Sequence, residues 1–196
     1  MGSSPVGLFY LPKEMIFTFG LKSPTMKKTF FISVLFLLGS LSGWSQTKQL
    51  DLGDKVPDFN LPNQEGKTFS MKDSVGSSVL VIFFYPKGEN ALTKNELISF
   101  NDSINKFNSA GALLIGISGN SIEKLKAFHD KYKLKYDLLS DPKGAVLKAF
   151  GVKENLFSNR MTYVINIAGE VVFKNYSLME GKKHAGEALK FLREMK

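Results

Sequence analysis

Val79-Leu-Val-Ile-Phe-Phe-Tyr-Pro-Lys-Gly-Glu-Asn-Ala-Leu-Thr-Lys-Asn-Glu96 is the stretch on which the fold turns. Its apolar run, Val79 to Phe84, is too short for a buried helix. It is rich in β-branched and aromatic side chains, as a strand buried on both faces should be. Pro86 has no N–H to give a ladder and ends the strand. After a short polar loop, Thr93-Lys-Asn-Glu96 has the Thr-x-x-Glu spacing of a capping box, which predicts Thr93 as helix cap and Glu96 as its reciprocal partner. Strand, loop and helix start in that order gather unpaired N–H groups and the positive end of a helix dipole at one surface point. In α/β proteins, ligands bind at such points beyond the carboxyl ends of strands.

Downstream, Leu97, Phe100, Ile104 and Phe107 follow at helical spacing, and Gly111 is placed to stop that helix as its C′ residue. Ala112–Ser118 reads as a second buried strand, and Asn120 or Ser121 as the cap of a helix turning Ile122, Leu125, Phe128 and Tyr132 inward. Tyr136–Leu139 is a short strand, and Asp141-Pro-Lys-Gly-Ala145 opens a helix ended by Gly151. Met161–Ile167 and Val171–Lys174 form a hairpin, and a last helix runs from about Lys183 to Glu194. Upstream, two short strands flank the turn Asn63–Gly66, and Met71–Val75 is one helical turn. This order predicts a single α/β domain with a mixed central sheet and helices on both faces.

Composition narrows the chemistry. The chain of 196 residues carries a formal charge of +8, of which +3 lies in residues 1–45. The remaining lysines are scattered without aromatic interleaving, so a solvated basic surface is expected and no nucleic-acid partner. There is no cysteine, which excludes disulfides, thiolate metal sites and every thiol-based mechanism. His129 and His184 have no carboxylate cluster around them and read as surface residues; no metal or cofactor is expected.

The N-terminal part reads as an address. Met26-Lys-Lys, the greasy run Phe30–Leu41 and the small-residue exit Gly43-Trp-Ser45 are the three parts of a secretory signal peptide. The run is too short to span a bilayer. Cleavage is expected near Ser45, with export of residues 46–196 to the periplasm or the medium and membrane contact only through the signal. Residues 1–25 are either a short extension or lie ahead of a true start at Met26.

Several stretches, taken in order, resemble the peroxiredoxins, thioredoxin-fold thiol peroxidases of the AhpC/TSA type. The similarity is to the bacterioferritin comigratory, or Q, branch. The resemblance rests on Val56-Pro-Asp-Phe-Asn-Leu61, Phe84-Tyr-Pro-Lys87, Gly111 to Gly119, Lys131-Tyr-Lys-Leu134, Leu138-Leu-Ser-Asp-Pro142 and Arg160-Met-Thr-Tyr-Val-Ile165. It implies a thioredoxin-like fold and an antioxidant, hydroperoxide-reducing ancestry. The family motif places Thr or Ser four residues after a proline and the peroxidatic cysteine three further on. Counted from Pro86, Asn90 falls on the Thr position and Thr93 on the cysteine. The resolving cysteine of many Q-type members falls on Ile98, and Arg160 on the arginine that tunes the thiol.

A peroxidatic sulfur works as a thiolate, is oxidised to a sulfenic acid and is recovered through a disulfide. A threonine hydroxyl runs none of these steps, so conventional peroxidase activity is not expected. Thr93 is then either a plain cap or a hydroxyl lining a surviving pocket, and Asn90 a loop residue or part of that pocket. Arg160 is either an anion-binding group beside the helix start or half of an ion pair with Glu96 or Glu89. The expected role is a binding or interaction module for a small anionic or polar ligand, as monomer or homodimer. The alternatives are an oxidoreductase working without a thiol, or an enzyme holding an anionic substrate on Arg160, Thr93 and Asn90.

Overall fold

The fold is seen in a computed structural model that describes residues 48–153, 160–177 and 180–195. Residues 1–25, expected as an extension, and 26–45, expected as a signal peptide, lie outside the described residues. Strands β1 (Asn60–Pro62) and β2 (Thr68–Ser70) pair antiparallel across the expected turn. There the Asn63 side chain accepts from the amides of Glu65 and Lys67, an Asx-type turn. Ser70 caps the single turn α1 (Met71–Ser74).

Strand β3 (Val79–Phe84) follows, then α2 (Ala91–Asp102) and α3 (Ile104–Ser109). The sequence predicts one helix here; the structure breaks it at Ser103. The Asn101 side chain is drawn to the backbone of Lys133 and Lys135, and Asn101-Asp-Ser103 is a run of weak helix formers. All four apolar residues of the stripe stay buried across the break. Gly111, at φ 74°, terminates α3 as expected.

Next come β4 (Ala112–Ser118), α4 (Ile122–Tyr132) capped by Ser121, β5 (Asp137–Ser140) and α5 (Ala145–Ala149). The Asp141 carboxylate starts α5 by accepting from the amides of Ala145, Val146 and Leu147, each at 2.9 Å. The antiparallel pair β6 (Met161–Ile165) and β7 (Val171–Tyr176) precedes α6 (Gly181–Glu194).

The main sheet has the order β5-β4-β3-β6-β7, with β3, β4 and β5 parallel and β6 and β7 antiparallel to their neighbours. Alternation along β3 feeds two cores. Val81 and Phe83 pack with residues of α2, α3, α4 and α6, whereas Leu80, Ile82 and Phe84 pack with Phe59, Phe150 and Tyr163. The molecule is thus the mixed-sheet, thioredoxin-like α/β architecture predicted. Among the described residues no helix is long and apolar enough to cross a membrane.

Gly116 shows how tightly the sheet centre is filled. It sits between Phe83 and Leu138, and a Cβ there would lie 2.8 Å from the Phe83 ring and 2.9 Å from a Leu138 methyl. Gly116→Ala is expected to cost about 1–3 kcal/mol by overpacking, read as a lower urea midpoint with an unchanged slope.

Candidate functional site

Asn90 is the N-cap of α2: its Oδ1 accepts the Thr93 amide at 2.9 Å. The helix therefore begins earlier than predicted, and Thr93 is inside its first turn rather than at its cap. Asn caps at least as well as Thr. Capping at Asn90 also lets Thr93 and Glu96 share the inward side with Leu97 and Phe100, all four being buried.

Glu96 is not the second half of a capping box. Its Oε2 accepts from Arg160 Nε at 3.0 Å, and Arg160 Nη2 donates to Thr93 Oγ1 at 3.3 Å. The Glu96 side chain is 0% exposed and that of Arg160 3%. Thr93 and Arg160 thus converge, and of the two acidic partners open to the arginine the structure uses Glu96. Glu89 lies at the surface, bonded to Lys131 and Tyr132 of α4. The loop beyond Pro86 is further fixed by the Gly88 amide, which donates to Asn120 Oδ1 at 3.0 Å. Ile98 is half-buried on α2.

His184 corrects a second expectation. It is fully buried, not superficial: Nδ1 lies 2.9 Å from Thr162 Oγ1 and 4.0 Å from Glu96 Oε1. Position 184 lies four residues before Ala188 and eight before Leu192, both buried, so helical spacing already put it on the inward stripe of α6. His129 remains partly exposed on α4. Gly181 completes the packing, since a Cβ there would come within 2.9 Å of the Glu96 Cβ. Glu96 Oε1, His184 Nε2 and the Tyr85 hydroxyl are buried without a hydrogen-bond partner among the described residues. Among those residues, too, no three His, Asp or Glu side chains gather as a metal site.

The cluster has opposed titrations. Burial pushes the Glu96 carboxyl up to about 8, with the Arg160 guanidinium pulling it back. Burial, aided by the Arg160 charge, pushes His184 down to about 4. His184 therefore contributes stability that is lost as pH falls from its ordinary 6.5 through 4. Glu96 contributes stability that is lost as pH rises from its ordinary 4.5 through 8. The two slopes oppose one another between 4.5 and 6.5, which predicts a flat maximum there and a decline from 6.5 towards 8. Thermal unfolding across pH checks this; in Glu96→Gln the decline towards pH 8 should flatten.

Chemically, the arrangement holds an alcohol, not a thiol, between a helix start and a guanidinium. That hydroxyl is satisfied by Arg160 and lacks the reversible oxidation of sulfur.

Comparison with known proteins fits this geometry. Residues 52–174 match the model of the AhpC/TSA family. The chain is 40% identical over 147 residues to the chloroplastic peroxiredoxin Q of Sedum lineare, covering 74% of this chain and 78% of the relative. Among solved structures it is similar to the peroxidoxin BcpB of Mycobacterium tuberculosis, at 31% identity and a TM-score of 0.70, covering 76% of this chain and 99% of that one. It is also similar to peroxiredoxin Q of Xanthomonas campestris, at 27% identity and a TM-score of 0.65, covering 76% and 98% of the two chains.

Proposed function

Because the chain belongs to the AhpC/TSA family, with peroxiredoxin Q proteins among its relatives, we propose that it is an exported member without thiol peroxidase activity that serves as a binding or interaction module. The observation that carries this reading is Thr93. It stands where the resemblance puts the peroxidatic sulfur, bonded to the arginine that would tune it, in a chain with no cysteine at all. The thiolate that would attack a peroxide, and the second thiol that would regenerate it, have no source in this sequence. Assayed with a coupled thioredoxin or dithiothreitol system, the purified chain should consume hydroperoxide no faster than a protein-free blank. Turnover above the blank would overturn the proposal.

The old site is best read as a structural joint. Arg160 already holds Glu96 and Thr93 and is 2% exposed, which favours the ion-pair role over capture of a small anion. Millimolar phosphate should therefore leave the melting temperature unchanged; a shift abolished by Arg160→Ala would restore the anion-site reading. The export half of the proposal rests on residues 26–45, and a mature N-terminus close after Ser45 is its expected signature.

A further inference from the structure

The start of α6 is held mainly by polar contacts. In its first turn Lys182 and Lys183 are exposed, Gly181 has no side chain, and only His184 is turned inward with one. Glu180 supplies no side-chain cap. The next inward residues, Ala185, Ala188, Leu189 and Leu192, belong to the large core, so burial anchors the later turns. Three contacts tie the first turn down instead. Ser99 Oγ of α2 donates to the Lys182 carbonyl at 3.0 Å, Gly181 lies against the Glu96 side chain, and His184 Nδ1 meets Thr162 Oγ1 at 2.9 Å. On its outer side the turn borders a groove of about 310 Å³, lined from α2 by Leu92 and Asn95, rather than core.

The surroundings of His184 suit a neutral ring. Strand β6 presents Arg160 and Thr162, and α2 presents Glu96, whose Oε2 already accepts from Arg160. Near Glu96 lie the buried hydroxyls of Tyr85 and Tyr136. Strand β7 contributes Phe173, stacked on Phe191 of α6, while Lys174 is turned to Asp51. The charged neighbours on α6 itself, Glu180, Lys182, Lys183 and Glu187, are exposed. The Glu96 carboxyl, held up at about 8, keeps its proton in acid and offers no counter-charge. A proton on His184 therefore puts a second buried cation beside Arg160. It also gives the ring two N–H groups, of which Nε2 has no acceptor among the described residues. Moving one lightly packed turn into solvent relieves both.

From this geometry we propose that the first turn of α6 is an acid-released latch. A proton taken up by His184 detaches Gly181 to His184 from α2 and β6, while the later turns of α6, the sheet and the Glu96–Arg160 pair stay packed. The latch goes beyond the reading of the chain as a binding module and holds whether or not peroxide is consumed. His184 is held down at about 4 in the closed state against an ordinary 6.5, so opening takes up a proton between those values. Global unfolding also frees Glu96, whose opposite slope flattens stability between 4.5 and 6.5. The Glu96–Arg160 pair joins α2 to β6 without α6, so local opening should show the His184 slope alone.

Amide hydrogen exchange of the purified chain, each rate divided by the intrinsic rate at the same pH, tests the latch. The amides of Ala185 to Ala188 donate to the carbonyls of Gly181 to His184 and report its opening. Their protection should fall about tenfold or more between pH 6.5 and 4.5, with Leu189 to Arg193 and strand β3 unchanged. In His184→Gln, which takes up no proton, the fall should be absent. If that variant does not fold, nitrogen shifts of the His184 ring in the parent chain decide, because the closed state should hold the ring neutral at pH 5.5. Unchanged protection at 185–188, an equal fall in folded His184→Gln, a fall shared by Leu189 to Arg193, or a charged ring at pH 5.5 with protection intact would each overturn the proposal.

Discussion

Glu96→Leu is expected to cost about 3–5 kcal/mol of unfolding free energy, more than any other single change in the buried cluster. The reason lies in which partner can shed its charge. With Glu96 gone, Arg160 is left 2% exposed with a threonine hydroxyl as its described side-chain partner. A guanidinium stays protonated at every accessible pH, so its charge remains buried without the carboxyl oxygen that accepted from Nε. Arg160→Leu should cost less. Burial holds the Glu96 carboxyl up at about 8 even with Arg160 pulling it down, so at neutral pH it mostly carries its proton already and loss of the cation strands no charge. The double variant Glu96→Leu/Arg160→Leu should recover much of the loss, because two apolar side chains replace the pair. Urea unfolding of the four proteins at pH 7 gives the cycle. A Glu96→Leu variant within about 1 kcal/mol of the parent would mean that Arg160 does not depend on Glu96.

Thr93→Cys should return the first half of the lost chemistry. The substituted side chain would lie in the first turn of α2 beside Arg160, whose Nη2 is 3.3 Å from the present hydroxyl oxygen. Helix start and guanidinium both favour a thiolate, so the thiol should titrate below the ordinary value of about 8.5. A hydroperoxide then loses its terminal oxygen to sulfur: the O–O bond breaks, a sulfenic acid forms, and water or alcohol leaves. With Ile98 and no cysteine to resolve it, the sulfenic acid should persist and be trapped by dimedone at about one equivalent per chain. Adding Arg160→Leu should raise the thiol pKa again. A thiol in Thr93→Cys with an ordinary pKa and no oxidation would mean that the first turn of α2 no longer presents its side chain to peroxide.

Most of the fold was legible because apolar spacing is a strong signal. The all-apolar β3, the 97/100/104/107 stripe and the strand Ala112–Ser118, of which only Leu113 is exposed, each reported burial directly. The site was legible in its members but not in their roles. The spacing of Thr93 and Glu96 matched a capping box, whereas Asn90 read as a loop or pocket residue; the structure gives the cap to Asn90 and buries Thr93 and Glu96 on the packed side of α2. Glu96 lies one residue before Leu97 and four before Phe100, so the same stripe that identified the core also pointed this carboxylate inward. Its charge argued against burial until Arg160, 64 residues away, supplied the counter-charge. His184 was misplaced for the same reason: a titratable side chain on an inward stripe needs a distant partner, here Thr162, that one-dimensional spacing does not reveal. The break at Ser103 depended on Asn101 reaching the α4–β5 turn, a contact between elements distant in sequence.

The proposed loss of redox chemistry, with Thr93 still beside Arg160 in a chain without cysteine, has a direct test. A single-turnover measurement tests it without any reductant: the purified chain is mixed with an equal concentration of hydroperoxide, and the peroxide remaining is followed over time. None should be consumed beyond the protein-free control. Loss approaching one equivalent per chain would contradict it.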